Sequence, residues 1–128
     1  MILIITAIIS CVLFALMSIF QLLLALGLPL GKAAYGGKYE KLPTNLRIAS
    51  LIAVGIFVFA IIVVLERAGI ITIFNNVLLT AIVVWILAGY FTLNVLMNAV
   101  SRSKWEKRIM TPLSLIITVC CFIIAILG

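Results

Sequence analysis

The chain has 128 residues, of which 67% are hydrophobic and 9% charged, with no histidine and a formal net charge of +6. A soluble domain carries roughly 25% charged residues, so this composition excludes an ordinary water-soluble fold and leaves room for one integral membrane domain, residues 1–128. The missing His removes His-ligated haem, His-dependent zinc sites and His general bases.

Four stretches carry no Asp, Glu, Lys or Arg: Met1 to Gly31, Ile48 to Leu65, Ala68 to Ser101, and Ile109 to Gly128. A hydrocarbon core of ~30 Å needs roughly 17–25 helical residues, so each stretch is long enough to cross it. In lipid the backbone must satisfy its own hydrogen bonds, which makes such segments helices. The expected fold is an all-α membrane protein, an antiparallel four-transmembrane-helix bundle with spans at about 2–26, 47–65, 72–100 and 107–127.

The first span carries Thr6, Ser10, Ser18 and Gln21 as its polar content and ends in Gly27-Leu28-Pro29-Leu30-Gly31, where Gly and Pro stop a helix. It has no basic n-region and far exceeds the ~7–15 residues of a signal h-region, so it reads as a retained span. In the first loop Gly36-Gly37 is a turn signal. Lys38 followed by Tyr39 fails the Walker pattern, which needs Ser or Thr after the lysine. Thr44 or Asn45 is the expected N-cap of the second span, and Glu66-Arg67-Ala68-Gly69 an outer turn with Gly69 as helix stop. The third window places Asn75 and Asn76 in the outer turn or the first helical turn. Ser103-Lys-Trp-Glu106 fits a capping box, starting the fourth helix near Lys104, so that Pro112 falls inside the helix and kinks it. Trp105 and Tyr35 suit an interfacial aromatic belt. Cys11, Cys120 and Cys121 form no C-x-x-C. Adjacent Cys120 and Cys121 point roughly 100° apart on a helix, so they read as packing residues rather than a disulfide.

Basic residues are distributed unevenly. Lys32, Lys38, Lys41 and Arg47 lie between spans one and two, and Arg102, Lys104, Lys107 and Arg108 between three and four, whereas Arg67 alone lies between two and three. The positive-inside rule puts the first and third loops in the cytoplasm and both termini outside. This accounts for the positive charge without nucleic acid. Lys32, Lys38, Lys41, Arg47 and Arg108 are positioned for anionic lipid headgroups, with Arg47 and Arg102 expected to contribute most because a guanidinium holds phosphate through two parallel bonds.

The most suggestive constellation is Tyr90, Asn94, Asn98 and Arg102, spaced by four along the third span. Each step drifts ~40°, giving a stripe about 120° wide. An amide facing lipid would leave donors and acceptors unpaired, so the stripe should face protein or a cleft, with Gln21 at similar depth as partner. Interhelical hydrogen bonding is the plainer reading and a polar cavity the functional one. Thr111, Ser114, Thr118, Cys121 and Ala125 on the fourth span, and Ala49 and Ala53 on the second, read as small-residue packing faces. Glu40 and Glu106 read as loop residues and only Glu66 lies near the membrane. No ionisable side chain is therefore expected within a span, which argues against a proton-coupled exporter.

The segments Gly27-Leu-Pro-Leu-Gly-Lys-Ala-Ala-Tyr-Gly-Gly37, Leu42-Pro-Thr-Asn-Leu-Arg47 with Ser50, and Met97-Asn-Ala-Val-Ser-Arg-Ser-Lys-Trp-Glu-Lys-Arg108 with Thr111-Pro112 resemble short bacterial four-helix inner-membrane proteins of unassigned function. The resemblance implies a bacterial cytoplasmic membrane protein working at its cytoplasmic face. It supplies no activity, cofactor or catalytic residue. The expected function is a non-enzymatic accessory bundle that binds anionic lipid, a membrane-protein partner or a second copy of itself. The alternative is a small homo-oligomeric transporter or channel using the third-span stripe.

Overall fold

A computed structural model describes residues 1–31 and 37–128. Lys32, Tyr35 and Gly36, singled out above, lie outside the described residues. The described chain is helical without strands: α1 (Ile2–Ala25), α2 (Thr44–Arg67), α3 (Val77–Ala99), a π-helical turn (Glu106–Met110), and α4 (Thr111–Leu127). Four helical segments of 22 to 24 residues are long and apolar enough to cross a membrane.

The helix ends follow from local chemistry. Both α1 and α2 stop on a glycine with positive φ, Gly27 at 91° and Gly69 at 81°. At α1 the Leu28 N–H reaches the Leu23 carbonyl (3.2 Å) and the Gly27 N–H reaches Leu24 (3.1 Å). At α2 Ile70 reaches Leu65 (3.0 Å) and Gly69 reaches Glu66 (2.9 Å). These paired bonds are Schellman motifs, which satisfy carbonyls that a helix end leaves orphaned. Gly69 is thus the stop expected from the sequence. The N-cap of α2 is Pro43, with no side-chain cap bond, rather than Thr44 or Asn45. Pro43 already holds an extended backbone (φ −66°, ψ 164°), so the proline ring sets the entry that a polar cap was expected to set.

The third helix begins at Val77, five residues later than the expected 72. Asn75 takes a left-handed φ of 49°, and the Asn76 side chain caps α3 by accepting from the Leu79 N–H at 3.0 Å. The preceding turn is held by Glu66, whose Oε1 accepts from the backbone N–H groups of Ile73 and Phe74, the latter at 2.7 Å. At the fourth helix the Ser103 hydroxyl accepts from the Glu106 N–H (3.3 Å), one arm of the expected capping box. A π-helical turn lies just before Pro112, where a kink was expected.

The packing centre is aromatic. Phe14, Phe57 and Phe91, one from each of the first three helices, are buried with ring centroids 5.6 to 6.1 Å apart. α1 packs most extensively on α2 and α3 on α4, α1 touches α4 less, and α2 and α3 make the thinnest seam. Ser114, Thr118, Cys121 and Ala125 are buried along α4, and the three cysteines are free thiols. A smaller cluster, Leu24 and Leu42 with Phe20 and Leu46, fastens the first loop to α1.

Most of each helix nevertheless faces outward. No more than 44% of any apolar window is buried, and 28% in α2 and α3. The outward side chains are themselves apolar, among them Ile8, Leu16, Ile52, Ile86, Leu96 and Ile126. Water does not tolerate contiguous apolar surface of this extent on a monomer.

Candidate functional site

The thin seam between α2 and α3 opens into a cleft of about 620 Å³. Binding sites for small molecules commonly fall in the range of ~300–1,000 Å³, with apolar walls and a few polar groups. One wall is Ala49, Ile52, Ala53 and Ile56 of α2, and the other is Tyr90, Leu93, Asn94, Met97 and Asn98 of α3. Ala53 packs against the core as expected, and both Ala49 and Ala53, each partly buried, also line the cleft. Their small side chains leave room that a larger pair would fill. The floor includes Phe57 and Met17, from the aromatic core and α1.

Polar groups gather at one end. The Asn98 side chain, only 8% exposed, donates from Nδ2 to the Ser114 hydroxyl at 2.8 Å and, at a long 3.4 Å, to Asn94 Oδ1. Of the stripe, Asn98 alone among the described residues bridges α3 to α4, while Asn94 and Asn98 both border the cleft. Gln21 lies on the same cleft, and its Oε1 is buried without a hydrogen-bond partner. The sequence places Gln21 beside Asn94 in depth; the structure brings both to one cleft without a bond to that oxygen. Tyr90 is exposed at the rim (52%), its ring edge-on to Phe91 at 5.2 Å. Arg102 is exposed beyond the end of α3 and is not on the cleft.

Glu106 is the residue that sequence reasoning misplaced. It is 7% exposed and lines the cleft with Gln21, Asn94, Asn98 and Ser101. The expectation that no ionisable side chain lies within a span is corrected here, since Glu106 opens the fourth apolar segment, Glu106–Leu127. Ser114, Met110 and Glu106, spaced by four, are all buried. The capping-box reading fixed attention on the backbone of Glu106 and not on its face.

The expected headgroup residues divide. Lys38, Lys41, Arg102, Lys104, Lys107 and Arg108 are exposed, and the Lys38 ammonium sits 5.5 Å from the Tyr39 ring centroid. Arg47 is half-buried and its Nε donates to the Ala25 carbonyl at 2.9 Å. It packs on Gly27, where a Cβ would come within 3.3 Å of the guanidinium. Its fork is partly committed to closing α1 rather than free for lipid phosphate. At the opposite end a smaller hollow of about 220 Å³ is bordered by Glu66, Arg67, Asn75 and Asn76. Among the described residues no three His, Cys, Asp or Glu side chains come together as a metal site.

Comparison with protein-family models, curated proteins and solved structures gives no match to this chain.

Proposed function

We propose that this is a multi-pass integral protein of the bacterial cytoplasmic membrane, a non-enzymatic accessory bundle that works at its cytoplasmic face on anionic lipid and on a membrane-protein partner or second copy. The observation that carries this reading is the segregation of charge. Gln21 of α1, Ala49 of α2, Asn98 of α3 and Glu106 border one cleft, which brings the ends of the helices nearest the first and third loops together. Six exposed Lys and Arg side chains surround that end, and Arg67 alone represents basic charge at the other. The antiparallel arrangement draws support from Arg47 against Ala25 (2.9 Å), Cys11 Sγ against the Ile61 carbonyl (3.9 Å), and Asn98 against Ser114 (2.8 Å). With the basic end inside, both termini are outside.

Cysteines substituted for Gly37 and Lys104, with native cysteines replaced, test the topology. Both should react only with membrane-permeant thiol reagents in intact cells, while Ala68→Cys reacts with impermeant ones. Labelling of Gly37→Cys from outside overturns the orientation. Anionic lipid retained in native mass spectrometry should fall with salt and with Arg102→Gln and Arg108→Gln together. Equal retention of anionic and zwitterionic lipid overturns the lipid role.

The cleft favours a second reading, a small transporter or channel. The lack of an ionisable side chain within a span argued only against a proton-coupled exporter, and Glu106 weakens that argument. Solute flux into liposomes that falls with Asn98→Ala or Glu106→Gln would exchange the two readings.

A further inference from the structure

The seam between α2 and α3 carries polar groups that the bundle leaves without partners. Asn98 commits its Nδ2 to the Ser114 hydroxyl at 2.8 Å. Asn94, one helical turn earlier, receives only the 3.4 Å contact from Asn98, at its Oδ1. Its own Nδ2 and the Tyr90 hydroxyl have no hydrogen-bond partner among the described residues. Asn94 lies five residues before Ala99, the end of α3, which is about 8 Å along the helix axis, and Tyr90 lies deeper. On the membrane reading above, both groups sit below the headgroup layer, where acyl chains supply neither donor nor acceptor. Leaving polar groups unpaired at that depth is costly.

The walls around these groups fit a helix. Ala49 and Ala53 of α2 stand one turn apart on one wall, while Ile52, Ile56, Leu93 and Met97 run along the edges, 49% to 69% exposed. Small residues at this spacing let a second helix backbone approach closely in lipid. Two observations say which helix. A primary amide carries both donors and an acceptor, so one Asn94 side chain is complementary to another. The segregation of basic charge also gives every copy the same orientation, so a two-fold axis relating two copies runs along the membrane normal. Such an axis sets each residue at the same depth as its counterpart. Resting on the topology proposed above, we infer that the α2–α3 cleft is a self-association surface that takes the α3 helix of a second copy of this chain. The two α3 helices run side by side, each along the other's cleft. The two Asn94 amides pair across the axis, and Leu93 and Met97 are covered by the facing α2 wall.

The test uses the full chain with its three native cysteines replaced, labelled through Lys104→Cys and reconstituted in liposomes over a range of protein densities. Copies per complex are counted by single-molecule photobleaching. The expected result is a dimer fraction that rises with density in the membrane. Asn94→Leu should weaken association roughly tenfold, the scale of paired interhelical hydrogen bonds, and Ala49→Phe should weaken it by filling the groove. Asn94→Leu removes no strong bond within the chain, so its thermal midpoint should stay near that of the parent. Leu16→Ala, on the outward face of α1, should leave association unchanged. In unlabelled chains, Leu93→Cys and Met97→Cys should each form disulfides between copies under mild oxidation, whereas Ile8→Cys on α1 should not.

Monomers at every density, in chains whose orientation thiol labelling has verified, overturn the inference and leave the topology standing. So does a dimer of undiminished strength in both Asn94→Leu and Ala49→Phe, or one that crosslinks through Ile8→Cys and not through α3. Lipid retained by a monomer in native mass spectrometry, and lost in Ala49→Phe, would assign the cleft to lipid and overturn the inference equally. Chains found in both orientations would overturn the topology reading, and the inference with it.

Discussion

Replacing Asn98 with leucine tests whether the third-span stripe contributes to stability through α4. Asn98 is 8% exposed and donates to Ser114 Oγ at 2.8 Å, while its 3.4 Å contact to Asn94 lies at the long limit of a hydrogen bond. Leucine keeps much of the volume but strands the Ser114 hydroxyl, so the substitution removes one good bond and one weak one. Interhelical bonds of this kind average ~0.6 kcal/mol in membranes, with a maximum of ~1.7. The short Asn98–Ser114 distance places this one toward the upper part, and Asn98→Leu should cost roughly 1–1.5 kcal/mol. A double-mutant cycle with Ser114→Ala isolates the pair, and its coupling energy should be roughly 1 kcal/mol, against near zero for the Asn98–Asn94 cycle. The measurement is reversible unfolding in mixed micelles, followed by far-UV circular dichroism. Leu93→Ala is the control, because Leu93 is 62% exposed and should matter less. A coupling to Ser114 no larger than that to Asn94, or a greater loss from Leu93→Ala, would refute the reasoning.

Three further outcomes are expected. Gly31→Ala should open the neck of the first loop, because a Cβ there would collide with the Tyr39 and Glu40 carbonyls and break the Gly31 N–H bond to Glu40 (2.8 Å); faster amide exchange at residues 38–42 would show it. Phe14→Ala should cost roughly 3–5 kcal/mol by emptying the centre of the three-ring core, read as a lower Tm. Arg47→Gln should lower Tm by releasing the Ala25 carbonyl, a loss of about 1 kcal/mol, while changing anionic-lipid retention less than Arg102→Gln does.

The helices were legible because an uncharged run of this length has few other fates. Gly27 and Gly69 marked two of the stops because only glycine takes positive φ cheaply at the end of a helix. Boundaries were less legible where side chains act at a distance. Glu66 folds the turn by capping Ile73 and Phe74, seven and eight residues on, and no local pattern announces that reach. Of the candidate site, Asn94, Asn98 and Gln21 were readable from the cost of facing an amide to lipid. Glu106 was misread, and Arg47 is less exposed than its position suggests, for one shared reason. Each is a charged residue near a helix start, where charge suggests an exposed headgroup contact or cap, and each is instead drawn toward the bundle by a backbone carbonyl or a cleft.

Pro112 connects these observations. It has no N–H to give the Arg108 carbonyl, and its ring crowds that carbonyl. The helix answers with the π-helical turn Glu106–Met110 immediately before it. In a regular α-helix, residues spaced by four drift ~40° per step, so Glu106 would lie well off the line of Met110 and Ser114. A π-helical turn closes over more residues, through i→i+5 bonds, and its drift runs the opposite way. The wide turn therefore swings Glu106 back over Ser114, onto the face that α4 buries against its neighbours. A proline that looked like a simple bend thus acts on phase. It turns the one acidic side chain of the segment inward, to the end of the cleft where Asn98 and Gln21 already stand.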